Sequence, residues 1–166
     1  MARQLWLLRH AEAEPHGART DAGRRLTPRG ERQARTAGSA LAQLEASFEL
    51  VLFSPKVRAR RTAELAAGEW SERQRERLRA HPPLANGFDA CQVQDALSEI
   101  TPDGRLLLVG HEPDLSRVVG DLTGGRVDLK KGGLAVVRLE GVGGELAVLL
   151  RPRELALIAG VPADGH

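Results

Sequence analysis

Aromatic residues and cysteine are scarce in this sequence of 166 residues. Aromatic residues make up 3% of the chain and tyrosine is absent, so it lacks the stacking surface on which single-stranded nucleic acids bind. The one cysteine, Cys91, cannot form an internal disulfide and offers no metal cluster. No apolar run approaches the roughly 18 residues that span a bilayer, and the N-terminus lacks the features of a signal peptide. We therefore expect a cytoplasmic protein with no nucleic-acid or membrane partner.

The bulk composition is that of an ordinary globular protein, with 42% hydrophobic and 28% charged residues. At roughly 150 residues per domain, the length predicts a single domain over residues 1–166. Net charge is only +2, but just 3 of the 24 basic residues are lysine. Such an arginine excess suits phosphate or carboxylate recognition, because a guanidinium group binds an oxyanion through two parallel hydrogen bonds. A GC-rich coding sequence gives the same excess, so each arginine has to be judged by its position.

The hydrophobic pattern alternates between strands and helices. Short apolar runs predict strands at residues 4–8, 49–53 and 105–109, and a hairpin of strands at 134–139 and 145–150. Apolar residues at helical spacing predict helices that begin at Thr27-Pro28, Ser54-Pro55 and Glu112-Pro113, and helices over 89–100 and 152–159. Ser54 is interpreted as a helix cap, and the charged segment 69–79 as a solvated helix face. This order predicts an α/β three-layer sandwich, in which a mostly parallel sheet has helices on both faces.

Polar residues of an unusual kind follow three of the predicted strands. Arg9 and His10 end the first strand, His111 and Glu112 follow the third, and Arg58 falls in the first helical turn after the second. Because ligands of open α/β sheets bind beyond the carboxyl ends of the strands, these residues should meet at one edge. Two guanidinium forks and an imidazolium suit the three oxygens of a phosphoryl group. A lone histidine there is often structural and a lone arginine often exposed, but their joint placement favours a phosphate-binding domain, most simply an enzyme.

Four ordered motifs resemble those of the histidine phosphatase superfamily. They are residues 7–14 (LLRHAEAE), 26–34 (LTPRGERQA), 54–63 (SPKVRARRTA) and 108–113 (LVGHEP). The small size and the segment 130–135 (KKGGLA) look most like the SixA-type branch, the phosphohistidine phosphatases. The resemblance implies a phosphoglycerate mutase-like fold, no metal or other cofactor, and a phosphorylated protein or a small phosphate ester as substrate.

The resemblance also implies a role for each residue at the predicted edge. His10 would attack phosphorus as a neutral ring whose other nitrogen is held as a donor, and it would become transiently phosphorylated. Arg9, Arg58 and His111 would hold the phosphoryl oxygens and stabilise the charge that develops on them. Water would then hydrolyse the phosphohistidine.

Four positions near these motifs leave alternatives open. Glu112 either donates a proton to the leaving group or opens a helix, where the dipole favours a carboxylate. Arg24, in the polar loop, either reaches over the pocket to bind substrate or lies in solvent. Ala11 stands where the family usually has glycine, which matters if the backbone approaches the phosphate closely or needs a positive φ. His16 is expected at the surface.

Taken together with the residues, the resemblance implies a metal-independent phosphatase that hydrolyses phosphohistidine or another phosphomonoester through a covalent intermediate on His10. No His-x-His or His-Glu-x-x-His pattern predicts a metal site. One alternative is a phosphotransferase like phosphoglycerate mutase, which needs a closed pocket, although the chain lacks a large inserted segment to build one. The other is a non-catalytic phosphate-binding module, against which the intact His10 and His111 argue.

Overall fold

Strands and helices alternate along most of the chain in the computed structural model, which describes residues 2–162. The strands are β1 (Gln4–Arg9), β2 (Leu50–Phe53), β3 (Leu78–Ala80), β4 (Arg105–Gly110), β5 (Leu134–Glu140) and β6 (Gly143–Leu150). The helices are α1 (Pro28–Gln43), α2 (Val57–Ala67), α3 (Glu72–Arg75), α4 (Ala90–Leu97), α5 (Asp114–Thr123) and α6 (Pro152–Ala159). Short 3-10 turns lie at Asp21–Gly23 and Pro82–Ala85. Across residues 2–162, no helix is long and apolar enough to cross a membrane.

The six strands form one sheet in the order β3-β2-β4-β1-β5-β6. Its first four strands run parallel, and β5 runs antiparallel to both of its neighbours. Val109 of β4 is in register with Leu8 of β1 on one side and with Phe53 of β2 on the other. The carboxyl ends of these three strands are therefore level, and the residues that follow them meet at one edge, as the sequence predicts.

Helices cover both faces of the sheet. Along β1 the side chains alternate, so that Leu5 and Leu7 pack with α4 and α5 while Trp6 and Leu8 pack with α1, α2 and α6. All four side chains are 9% exposed or less. Both hydrophobic layers therefore lie against a strand whose two faces are apolar, and the predicted α/β three-layer sandwich is confirmed.

The helix that carries Arg58 is fixed by close packing against α1. A Cβ atom at Gly38 of α1 would lie 2.2 Å from the carbonyl oxygen of Ala66 in α2, so only glycine allows this approach. The Trp70 indole closes the contact by donating to the Gly38 carbonyl over 3.0 Å. The direction of α2, and with it the position of Arg58 in its first turn, follows from this packing.

Two local predictions are wrong. Helix α2 begins at Val57 with Lys56 at its N-cap, two residues later than predicted, so Ser54 is not the helix cap. Segment 69–79 is not one helix, because only Glu72–Arg75 is helical and Leu78–Ala80 pairs with β2 as an edge strand. Its charged side chains remain in water in either conformation, so the hydrophobic pattern does not distinguish the two.

Candidate active site

A cavity of about 320 Å³ lies where β1, β2 and β4 end. Among the residues that line it are Arg9, His10, Arg24, Arg58, His111 and Glu112. The two imidazole rings are neighbours, with centroids 5.2 Å apart and planes inclined at 54°. The structure thus brings together all six predicted site residues, and we call this space the two-histidine cavity.

The His10 ring is held in one tautomer. Its Nδ1 lies 2.8 Å from the carbonyl oxygen of Ala11. A carbonyl can only accept, so Nδ1 carries the proton and Nε2 keeps its lone pair. Burial lowers the pKa of His10 to about 3 against the hydrogen bond to Ala11, and the positive charges of Arg58 and Arg9 lower it further. The ring is therefore neutral near pH 7, with Nε2 available as a nucleophile.

The His111 ring is held by Ser54, whose hydroxyl oxygen lies 2.7 Å from Nε2. Ser54 is fully buried, and its oxygen already accepts the N–H of Lys56 over 3.2 Å. Among the described contacts, His111 Nε2 is the acceptor for the Ser54 hydroxyl proton. A buried hydroxyl that lacks an acceptor costs about 1–3 kcal/mol, so Ser54 donates to Nε2. His111 then carries its own proton on Nδ1. Its pKa is lowered to about 3, by burial and then by the charges of Arg58 and Lys56.

Asp21 organises the cations at this edge. The Arg58 guanidinium donates to the Asp21 carbonyl over 2.6 Å, and the Arg24 guanidinium donates to the Asp21 carboxylate over 3.1 Å. The Lys56 ammonium binds the same carboxylate over 2.8 Å. These contacts, led by the Lys56 hydrogen bond, hold the pKa of Asp21 well below its usual range. The Arg58 guanidinium also lies 3.4 Å from this carboxylate, so one acidic residue gathers three cations that would otherwise repel one another.

Several buried donors at the cavity have no hydrogen-bond partner among residues 2–162. They are the Nε atoms of Arg9, Arg24 and Arg58 and the Nδ1 atom of His111. All four residues line the two-histidine cavity. Each unpaired buried donor costs about 1–3 kcal/mol, and buried polar groups in folded proteins are nearly always satisfied. An anion with several oxygens, bound in this cavity, would pair with these donors.

The structure also shows where Arg24, His16 and Ala11 lie, the positions for which the sequence left alternatives or an expectation of exposure. Arg24 is only 8% exposed and donates to the Glu14 carbonyl over 2.9 Å, so it lies at the cavity and not in solvent. His16 is exposed, as expected, and it lies at the rim of the cavity. Ala11 has no positive φ, and its methyl group packs in a small buried cluster with Leu26 and Ala34. Alanine therefore fits this position without backbone strain.

Glu112 lines the cavity but is bound to its own helix. One carboxylate oxygen accepts the backbone N–H of Ser116 over 2.9 Å, and the other accepts the Ser116 hydroxyl. These contacts are the ones expected of a residue that opens α5. They leave the proton-donor role as a prediction that kinetics must test.

Sequence reasoning missed Asp21 and Lys56, and it misassigned Ser54. Asp21 and Lys56 are 35 positions apart in the chain, and Ser54 and His111 are 57 apart. The available signal for Asp21 was a carboxylate in the loop next to a predicted cluster of arginines, which need a counter-charge when buried. For Ser54 no signal in the sequence indicated a contact with His111, because Ser-Pro is also a common helix start.

Comparison with known proteins adds a second line of evidence. Residues 5–82 match the sequence profile described as the histidine phosphatase superfamily (branch 1). An uncharacterized protein of Picosynechococcus sp. strain PCC 7002 is 35% identical over 147 residues, which cover 81% of this chain and 84% of that protein. The chain belongs to the histidine phosphatase superfamily.

Solved structures of histidine phosphatases share the whole fold. The protein histidine phosphatase SixA, complexed with tungstate, matches with a TM-score of 0.80 and 24% identity over 92% of this chain and 99% of that one. A proposed phosphohistidine phosphatase SixA from Nakamurella multipartitia matches with a TM-score of 0.75 and 26% identity, over 92% and 97% of the two chains. The resemblance to the SixA-type branch that the sequence motifs indicate is confirmed, and with it the phosphoglycerate mutase-like fold.

Proposed function

We propose that the protein is a metal-independent phosphatase that hydrolyses phosphohistidine, or another phosphomonoester, through a covalent phosphohistidine on His10. The family and the neighbouring structures support phosphatase activity in general. The substrate and the mechanism are our proposal.

One observation carries the proposal. The neutral His10 ring, with Nδ1 donating to Ala11, keeps a lone pair on Nε2 beside buried donors that lack a partner. A nucleophile and a set of oxyanion donors in one cavity of about 320 Å³ fit a phosphoryl group, whose oxygens gain negative charge as the reaction proceeds. A tungstate ion, an oxyanion of similar charge, is bound in the related SixA structure.

The proposed reaction has two displacement steps. His10 Nε2 attacks phosphorus, a P–N bond forms, and the bond from phosphorus to the leaving group breaks with its electron pair going to that group. Water then attacks the phosphorus of the phosphohistidine, the P–N bond breaks, and inorganic phosphate leaves with His10 neutral again. Arg9, Arg58 and the Nδ1–H of His111 donate to the phosphoryl oxygens throughout. Binding of this anion raises the pKa of both rings, because a nearby negative charge favours the protonated form.

The leaving group needs a proton only when it is a poor one. The imidazole of phosphohistidine, once protonated on its other ring nitrogen, leaves as a neutral ring, so its departure depends little on an acid in the cavity. A phosphate ester of a simple alcohol needs one, and Glu112 at the cavity is our candidate donor.

The test is a phosphatase assay on the wild type and on His10→Ala, with 4-nitrophenyl phosphate and with a phosphohistidine peptide. Each substrate is measured with and without EDTA. We expect turnover that EDTA does not change and that falls at least about 10³-fold in His10→Ala, because removing a nucleophile removes the covalent route. Circular dichroism of the variant controls for its fold.

Three outcomes of the assay contradict the proposal in different ways. Residual activity above a few per cent in a folded His10→Ala variant removes His10 as the nucleophile. Loss of activity in EDTA removes the metal-independent mechanism. A folded wild type that turns over neither substrate but binds inorganic phosphate supports the non-catalytic module instead.

A further inference from the structure

A second cavity, of about 450 Å³, lies next to the two-histidine cavity, and we call it the basic cavity. Six basic side chains and one carboxylate line it, from the end of β1 and the segment after it, from the starts of α1 and α6, and from the loop before β5. The basic side chains are those of Arg9, Arg29, Lys130, Lys131, Arg151 and Arg153, and the carboxylate is that of Glu12. Apart from Arg9, the proposed chemistry uses none of them.

The two cavities share a wall, since Arg9 and Lys131 line both. The loop that carries Lys130 and Lys131 is bound to the end of β1 through Gly132, whose N–H lies 2.9 Å from the His10 carbonyl and 3.1 Å from the Arg9 carbonyl. Gly132 has a φ of 76°, a conformation that other residues rarely adopt. Backbone hydrogen bonds therefore fix the two lysines beside the nucleophile.

Acidic residues of the protein do not neutralise the basic cavity. The Glu12 carboxylate accepts the Thr27 hydroxyl over 2.6 Å at the start of α1, and it lies 3.4 Å from the Arg29 guanidinium. Asp128 pairs with Lys130, and Glu154 pairs with Arg151 and Arg153. All of these pairs are exposed to solvent, where ion pairs are weak and exchange readily. The first turns of α1 and α6 add partial positive charge from their N–H groups. An incoming carboxylate would therefore meet a net positive potential.

We propose that the basic cavity binds an acidic side chain of a polypeptide substrate, next to the phosphorylated residue in the two-histidine cavity. This inference rests on the proposed phosphatase function. The phosphoryl group already has its donors in the two-histidine cavity, so the basic cavity is left to recognise a second anionic group. Pro152 and the alkyl stems of the lysine and arginine side chains offer an apolar wall to the methylene groups of Asp or Glu. The shared wall puts the two groups at neighbouring positions of one chain.

The test compares phosphohistidine peptides that differ only in glutamate or glutamine at the positions flanking the phosphorylated residue. We expect the wild type to favour the glutamate peptide by about tenfold in kcat/KM, and the preference to shrink at high salt. Arg153→Glu should remove most of the preference. Arg153 lies in the first turn of α6, where a glutamate is favourable, and its side chain is 56% exposed, so the fold should tolerate the change.

The matched control is Arg73→Glu, the same charge change on an exposed arginine that lines a cavity at the other end of the sheet. It should leave the glutamate preference of the wild type unchanged. Equal kcat/KM for both peptides, or a preference that survives in Arg153→Glu, overturns the inference while leaving the phosphatase proposal intact. A loss of preference in Arg73→Glu as well overturns it too, because the effect then belongs to net charge. No turnover of either peptide also overturns the inference, and 4-nitrophenyl phosphate then separates the two proposals, because the phosphatase proposal fails only if this substrate is not hydrolysed either.

Discussion

The two ends of the parallel strands differ in how their charged groups are satisfied. At the amino ends, a cavity of about 650 Å³ is lined by Glu49, Arg77 and Arg105, among others. Arg105 Nε donates to Gln4 over 3.0 Å, and the Glu49 carboxylate accepts the Thr101 N–H over 3.0 Å. The Arg77 guanidinium donates to the Glu49 carbonyl over 3.4 Å, so these three charged side chains are bound to the protein itself, although the cavity has twice the volume of the two-histidine cavity.

At the carboxyl ends the smaller cavity holds buried groups whose pKa values are strongly shifted. Both histidines are 6% exposed or less and have pKa values lowered to about 3. Buried donors of Arg9, Arg58 and His111 have no partner within the part of the chain that the structure describes. Function is therefore better indicated by buried titratable groups and unpaired donors than by the size of a cavity.

Of the paired substitutions at the two ends of the sheet, Arg58→Ala and its control should differ most in kcat/KM. We expect kcat/KM to fall about 10²–10³-fold, because a buried guanidinium that stabilises developing charge is lost. The matched variant Arg77→Ala, at the amino-end cavity, should stay within about twofold of the wild type. Steady-state kinetics with 4-nitrophenyl phosphate measures both, and thermal unfolding shows whether the loss of the Asp21 contact has changed the fold. Near-normal kinetics of Arg58→Ala would return this residue to a structural role.

Sequence reasoning reached the residues whose position depends on local rules. His10 and His111 were found because each lies two residues after the end of an apolar run, and the level ends of β1 and β4 follow from parallel pairing. Arg58 was found because a helix begins shortly after β2. The three-layer fold was predicted for the same reason, since alternating strand and helix patterns leave few ways to bury both faces of the strands.

The remainder of the site depends on contacts between distant parts of the chain. Ser54 was taken for a helix cap, but its hydroxyl is bound to His111 across 57 positions. Asp21 lies in a loop without an apolar pattern, and only the folded chain brings Arg24, Lys56 and Arg58 around it. Edge strand β3 has no alternating hydrophobic pattern either. It is held to β2 by backbone hydrogen bonds, which leave no signal in the sequence.

Ser54→Ala should have a smaller effect, of about tenfold on kcat. The loss of the hydroxyl leaves His111 Nε2 without its donor, so the ring can place its proton on either nitrogen and donates less often from Nδ1. The nitrogen shifts of His111 in an NMR spectrum should move from one tautomer toward a mixture. A mixture without a change in kcat would mean that the tautomer does not limit the reaction.

Ser71→Ala makes the same change at the amino-end cavity. The Ser71 hydroxyl caps α3 by accepting the N–H of Gln74, so its loss should reduce the free energy of unfolding by about 1 kcal/mol and leave kcat unchanged. Equal effects of Ser54→Ala and Ser71→Ala on kcat would contradict the difference between the two ends.

The smallest expected effect comes from Glu112, whose carboxylate has a counterpart at the other end. Glu112 accepts the N–H and hydroxyl of Ser116, and Glu49 accepts the N–H and hydroxyl of Thr101 in the same way. If Glu112 is also a proton donor, Glu112→Gln should slow phenyl phosphate about three- to tenfold but a phosphohistidine peptide less than twofold, because only the poor leaving group needs the proton. Glu49→Gln should change neither rate. Equal slowing of both substrates by Glu112→Gln would instead assign its carboxylate to the start of α5, and the two ends of the sheet would then hold their glutamates for the same structural reason.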